Sequence, residues 1–399
     1  MSKIALVLKQ GVVGQKSKVF RLTIARFLYG LLVLVSAGVV LLSVTPQGHA
    51  LTKTILFLPQ ILPGLPFKPQ TLVTRTPVRE EVYYPTANGE GFADLYIPGS
   101  GSKHSAVLLF LGVNPAGRDD SRVVGLAEAL ARSGVVVMIP SSETMTQRRI
   151  APQEVDNLVY AFQFLRDHEK VNPDSVGMGG FCVGASLSTV AAEDPRIRDN
   201  VRFINFFGGY YDAFDLLKSV ASENRFYGDH SDRWTPNHLS VEVVTTHLIE
   251  GLGDDHEREL LKSVFLNGDT DAKIDFSSLS DESSAVYALL SGPDLEEVDG
   301  LVQQLPKETI ESLRFISPGT RIGDLKAKVL IMHDREDNLV PSDESRRLAD
   351  AVGKDRGVYF TEFSFFEHLD PTQSVSPTEF ASESFKLFLH MYNVMREFS

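Results

Sequence analysis

The chain carries a single cysteine, Cys182, in 399 residues. No intramolecular disulfide can form, so an apolar core must hold the fold. Histidine and cysteine never fall in H-E-x-x-H or paired-ligand spacing, so neither a catalytic metal nor any other cofactor is expected. Asn267-Gly268-Asp269-Thr270-Asp271 looks like the start of a calcium loop. It lacks a glutamate at the twelfth position and reads as a turn. Internal repeats and long low-complexity tracts are also missing. The least common feature is acid near the start: no Asp or Glu precedes Glu80.

That gap splits the charge. Residues 1–79 hold ten Lys and Arg, and residues 80–399 hold the other 29 against 52 acids, a net −23. A body so acidic repels phosphates and is a poor partner for nucleic acid. With 43% hydrophobic and 23% charged residues the chain can bury a large core. No feature sets an oligomeric state.

Phe27 to Val44 (FLYGLLVLVSAGVVLLSV) contains no charge and is near the minimum length for a bilayer-spanning helix. Six basic residues from Lys3 to Arg26 precede it, which places residues 1–26 in the cytoplasm as a basic tail and everything after Val44 outside. The run is expected to stay as a transmembrane signal anchor. The competing expectation is a secreted protein, with a signal peptide cut after Gly48-His49-Ala50. Residues 45–79 are apolar and broken by proline, and read as a linker lying along the membrane surface.

In the body, Asn88-Gly89 between two strand-like segments signals a hairpin. AVLLFL (Ala106–Leu111), VVVMI (Val135–Ile139), Val176–Phe181, VRFINFF (Val201–Phe207), KVLIMH (Lys328–His333) and Val358–Phe363 are short continuous apolar runs. Such runs suit strands buried on both faces of a parallel sheet. Helical spacing lies between them, as at Val155, Leu158, Val159, Phe162 and Leu165. Residues 212–324 hold helical and polar segments but no convincing buried strand. The fold class is therefore α/β: a mostly parallel sheet with helices on both faces, formed by residues 80–211 and 325–399, and a largely helical cap at 212–324.

Chemistry concentrates in Val176–Ser186 (VGMGGFCVGAS). Gly180-Phe181-Cys182-Val183-Gly184 is a G-x-C-x-G between an apolar strand and a helix. A nucleophile on so tight a strand-to-helix turn needs neighbours without bulk two positions either side. The N–H groups and dipole of the following helix favour a thiolate. A thiol also needs a base, and an elbow of this kind draws its partners in chain order nucleophile, acid, histidine. Asp337 follows the KVLIMH strand and His368 follows Val358–Phe363. Asp337 would orient His368, with Asp334 and Glu336 as rival acids, while His333 ends a strand and reads as structural. The oxyanion would be held by the backbone N–H of Val183 and, from the loop after AVLLFL, that of Val113. Tyr210 or Tyr211, between a strand end and the cap, is expected to line the substrate pocket.

These residues resemble the α/β-hydrolase superfamily. The elbow is similar to that of the dienelactone hydrolase family, whose G-F-C-x-G-G carries a cysteine nucleophile; here Ala185 stands in place of the last glycine. HDREDNLVP (His333–Pro341) resembles the H-G-x-x-D-x-x-V-P around that superfamily's acid, so the resemblance carries the acid to Asp337 and the histidine to His368. It spans Val82 to the C-terminus apart from the insertion. It implies an α/β-hydrolase fold and a hydrolase that opens an ester, lactone or thioester of a small-molecule acyl substrate through an acyl-enzyme. An acyltransferase on the same triad, or a membrane-tethered binding module without catalysis, are the alternatives.

Overall fold

The computed structural model describes residues 29, 38, 44–62, 67–269, 278–364 and 376–399. The expected strands form. They are β1 (Val78–Thr86), β2 (Gly89–Ile97), β3 (His104–Phe110), β4 (Val135–Pro140), β5 (Val171–Phe181), β6 (Phe203–Phe207), β9 (Lys328–Asp334) and β10 (Val358–Phe363). They join in one eight-stranded sheet in the order β1-β2-β4-β3-β5-β6-β9-β10. β1 and β2 make the antiparallel hairpin, β2 meets β4 antiparallel, and every other pairing is parallel. This is an α/β-hydrolase-like fold.

Alternation along each strand divides the core in two. Val136 and Met138 of β4, with Ala106, Leu108 and Phe110 of β3, face one layer. That layer contains α5 (Gln153–Asp167), α6 (Val183–Ala192), α13 (Ser342–Val352) and the cap. Val135, Val137 and Ile139, with Val107 and Leu109, face the other, which holds α3 (Ser121–Arg132) and α14 (Pro377–Glu397). Both faces are covered, which is why these runs are continuously apolar rather than alternating with polar residues.

The cap is built from α7 (Ala213–Ser222), α8 (His238–Glu250), α9 (Asp255–Phe265), α10 (Asp281–Leu290), α11 (Leu295–Val302) and α12 (Lys307–Phe315). A short hairpin, β7 (Asn224–Tyr227) with β8 (His230–Arg233), interrupts the helices. β8 is exposed throughout and β7 only half-buried, so the hairpin never shows the apolar run by which a buried strand is recognised. Local chemistry starts the helices: Asp212, Asn237 and Asp254 each accept a backbone N–H at the first turn of α7, α8 and α9.

The linker expected over 45–79 is corrected. Pro46–Ile61 forms helix α1, capped by the Thr45 hydroxyl, and Gln70–Val73 forms the short α2. Ala50, Phe57 and Leu58 of α1 sit in the same core layer as α3 and α14. Lys53 donates to the Phe398 carbonyl at 2.9 Å, and Gln70 donates to Ala129 O in α3 and to the Ser133 hydroxyl that caps its end. Pro59 falls in the last turn of α1, where its ring breaks little of the hydrogen-bond ladder. Phe57 is fully buried. Phe57→Ala should lower stability by about 3–5 kcal/mol, read as a fall in Tm; an unchanged Tm would mean the helix is not part of the folded body.

The transmembrane segment expected over 27–44 lies almost wholly outside the described residues. Among the described residues no helix is long and apolar enough to cross a membrane.

Candidate active site

Cys182 sits where β5 ends and α6 begins, with φ +53° and ψ −135°. A side-chain-bearing residue holds such a conformation only when its surroundings impose it. Two backbone hydrogen bonds and two flanking glycines do so here. The Cys182 N–H donates to Phe207 O at the end of β6 (2.8 Å), and Ala185 N–H donates back to Cys182 O (2.9 Å). The flanking glycines are sterically forced. A Cβ on Gly180 would lie 2.5 Å from Ala185 N, and one on Gly184 would lie 2.4 Å from Phe110 O. The turn is thus pinned between the ends of β3 and β6.

The loop after β3 presses on the same corner. A Cβ on Gly112 would be 2.7 Å from Phe181 O, 2.8 Å from Cys182 Cβ and 3.5 Å from Val183 N. Val183 is the first residue of α6, so its N–H has no acceptor within the helix. Val113 follows Gly112 directly and packs, like Cys182, against the core layer under the cap. The thiol, the Val183 N–H and the loop bearing Val113 therefore share one corner of the sheet.

Asp337 lies on the loop after β9 and is buried. Its Oδ1 accepts the N–H of Leu339 (2.7 Å) and of Val340 (3.1 Å). Its Oδ2 stands 3.3 Å from Nε2 of His333. His333 is fully buried, with Nε2 2.9 Å from Val340 O and Nδ1 2.6 Å from Ser345 Oγ. A carbonyl can only accept, so the proton sits on Nε2 and the serine hydroxyl donates to Nδ1. His333 thus braces the acid loop, in keeping with the structural reading of its sequence position. Of the rival acids, Asp334 is buried at the end of β9 and accepts the N–H of Glu336, which is itself exposed. β10 runs parallel to β9 and ends at Phe363. His368 comes five residues later in the sequence, outside the described residues.

The two tyrosines part company. Tyr210 is buried, and its phenol donates to Ile316 O in the cap at 3.3 Å. Burial raises its pKa. Tyr211 packs against Gly319, whose Cβ would meet its ring at 2.9 Å. Two groups that carry no motif hold this segment. Ser186 of α6 accepts the Tyr210 N–H and donates to the Tyr210 carbonyl (2.9 and 2.8 Å). Fully buried Glu344 accepts the N–H of Tyr211 and of Asp212 while pairing with Arg347 at 2.5 Å. Burial pushes the Glu344 carboxyl up to about 8, against the pull of Arg347.

Glu193, at the C-terminal end of α6, is buried with no hydrogen-bond partner on either carboxyl oxygen among the described residues. Burial pushes its pKa up to about 9, although Arg321 pulls it down. Its folded pKa is therefore above the unfolded value near 4.5. The stability tied to its proton is fully present below about 4.5 and is lost as pH rises through about 9. Glu193→Gln, which stays neutral, should gain stability relative to the native chain as pH climbs from 5 to 9. Parallel Tm-against-pH curves for the two proteins would contradict this.

Among the described residues no group of three or more His, Cys, Asp or Glu could hold a metal ion.

No family model matches the chain, and no curated protein matches it. Solved structures do. A Mycobacterium tuberculosis puromycin-hydrolyzing peptidase is 16% identical with a TM-score of 0.49, over 85% of this chain and 41% of that one. An acylaminoacyl peptidase bound to Z-Gly-Gly-Phe-chloromethyl ketone is 13% identical with a TM-score of 0.48, over 80% and 42%. An esterase from Pyrobaculum calidifontis is 15% identical with a TM-score of 0.46, over 89% and 92%. The chain thus spans about two-fifths of the length of the two peptidases. With every one of these scores below one-half, the activity must be argued from the chain's own side chains.

Proposed function

We propose that the protein is a hydrolase of a carboxylic ester, lactone or thioester, related to the dienelactone hydrolases, with Cys182 as nucleophile. The observation that carries the reading is the elbow: a cysteine held at φ +53° between two glycines that cannot carry a Cβ. A strained turn of this kind costs stability and does nothing for packing, which points to chemistry at the residue it presents.

In the proposed reaction His368 takes the thiol proton as Sγ of Cys182 bonds to the acyl carbon. Charge on the carbonyl oxygen is met by the N–H groups of Val183 and Val113. Collapse of this intermediate breaks the bond to the leaving group, which takes the proton from His368. Water then attacks the thioester with His368 again as base, and the acid product leaves as the thiol is restored. Asp337 holds His368 in the required tautomer throughout. An alcohol in place of water would give acyl transfer on the same groups.

The body is proposed to sit outside the cytoplasm, tethered by residues 27–44. Two observations support retention over cleavage. A cut after Ala50 would sever α1 in its first turns and remove the Thr45 cap. Exposed Ile55, Phe67, Leu72 and Val73 lie on the segment that follows the apolar run.

One mass-spectrometric experiment tests both parts. After treatment with iodoacetamide or a fluorophosphonate probe, peptide mapping should find the adduct on Cys182 and a mature N-terminus ahead of Phe27. A chain whose Cys182 stays unlabelled loses the proposed chemistry; one beginning at Leu51 loses the anchor.

A further inference from the structure

The carbonyls of Asp337, Asn338, Leu339 and Val340 follow one another along the loop that carries the proposed acid, and each accepts from outside that loop. Three of the donors come from the cap. Trp234, just after β8, donates its indole Nε1–H to Asp337 O at 2.9 Å. The Asn237 N–H donates to Asn338 O at 2.6 Å. The Ser240 hydroxyl, in the first turn of α8, donates to Leu339 O at 2.7 Å. Val340 O accepts from Nε2 of His333 at 2.9 Å. The cap donors are themselves held. Trp234 is buried and its backbone N–H donates to Glu223 O at 2.8 Å, while the Asn237 side chain accepts the Leu239 N–H at 3.0 Å.

The carboxylate follows this backbone. Asp337 Oδ1 accepts the N–H groups of Leu339 and Val340 from the same loop, so a turn of residues 337–340 carries the acid with it. Apolar cover would suffice to bury the loop. Three successive carbonyls met by three donors fix its position as well, and deleting the first leaves a buried acceptor unpaired next to the acid. We infer that Trp234, through its Nε1–H, is a positioning residue for Asp337, and that Ser240 shares the role. The inference rests on the hydrolase reading for what Asp337 does.

Trp234 is the chain's single tryptophan and Cys182 its single cysteine, so both can be addressed alone. The test grows the full chain with β-(3-benzothienyl)alanine in place of tryptophan, which keeps the shape of the ring and puts sulfur where the N–H was. Turnover of p-nitrophenyl acetate and the rate of Cys182 alkylation by iodoacetamide are then measured. The swap should lower kcat about tenfold, the scale of one buried hydrogen bond, with KM within about twofold. Alkylation should slow by a similar factor. In an Asp337→Ala chain the swap should change neither rate further, whereas a packing role alone would cost activity in both backgrounds. Unchanged rates, or an equal loss with Asp337 already removed, would overturn the inference. If the swapped chain does not fold, Ser240→Ala decides: it should cost about two- to threefold, again only while Asp337 is present, and full rates sink the inference. Asp337→Ala alone separates the two readings. If it slows turnover and the swap does not, the positioning role fails and the hydrolase stands. If the native chain turns over no ester, the hydrolase fails and the alkylation rates still judge the positioning role; no change in them, even in Asp337→Ala, removes both.

Discussion

Cys182→Ala should lower kcat/KM for an activated acyl ester by about 10³-fold or more, because removing a nucleophile leaves only the oxyanion donors and binding to act. The fold should survive. Alanine keeps a Cβ at φ +53°, so the strain of the elbow is unchanged, and the side chain removed is small and only half-buried. The Cys182 N–H bond to Phe207 belongs to the backbone and persists. Cys182→Ser should retain measurable activity, since a hydroxyl in the same place meets the same base and the same N–H groups. Full activity in the alanine protein would remove the covalent mechanism.

Gly184→Ala is expected to be nearly as damaging although it touches no reacting atom. The added methyl would fall 2.4 Å from Phe110 O, 2.6 Å from Leu111 C and 2.7 Å from Leu111 O. All three are backbone atoms of β3 and its following loop, so no side chain can swing away. Either α6 or the loop with Gly112 and Val113 must retreat. Overpacking of this sort costs about 1–3 kcal/mol, and a misplacement near 1 Å in the oxyanion corner costs about 10²-fold in rate. Gly125 supplies the control. It lies in α3 with no atom within 4 Å of a Cβ, so Gly125→Ala should raise stability by up to about 1 kcal/mol. Wild-type kinetics in Gly184→Ala would show that the elbow tolerates bulk and is not under the constraint assigned to it.

Much of this site was legible in the one-dimensional pattern because each requirement is local. A glycine two places either side of Cys182 answers a clash within one turn, and a short continuous apolar run such as Ala106–Leu111 announces a doubly covered strand whatever its neighbours. The helix over 46–61 was missed for the same reason in reverse. Its apolar residues and Pro59 look like a membrane-surface linker until α3 and α14 are present to bury Ala50 and Phe57. Ser186, Glu193, Ser240 and Glu344 carry no signature at all. Each matters through what was packed around it, and polar residues on helices ordinarily face water.

The glycine-flanked turn that presents Cys182 and the doubly covered strands were set by the sequence alone. Packing decided the rest: the sheet order that brings the β3 loop against Cys182, the cap donors that meet the acid loop, and which buried groups lack partners. The physical reason is range. Steric and periodic demands act within a few residues and leave a mark in the string of letters. Desolvation, close approach of distant loops and unpaired polar atoms arise only between segments that folding brings together.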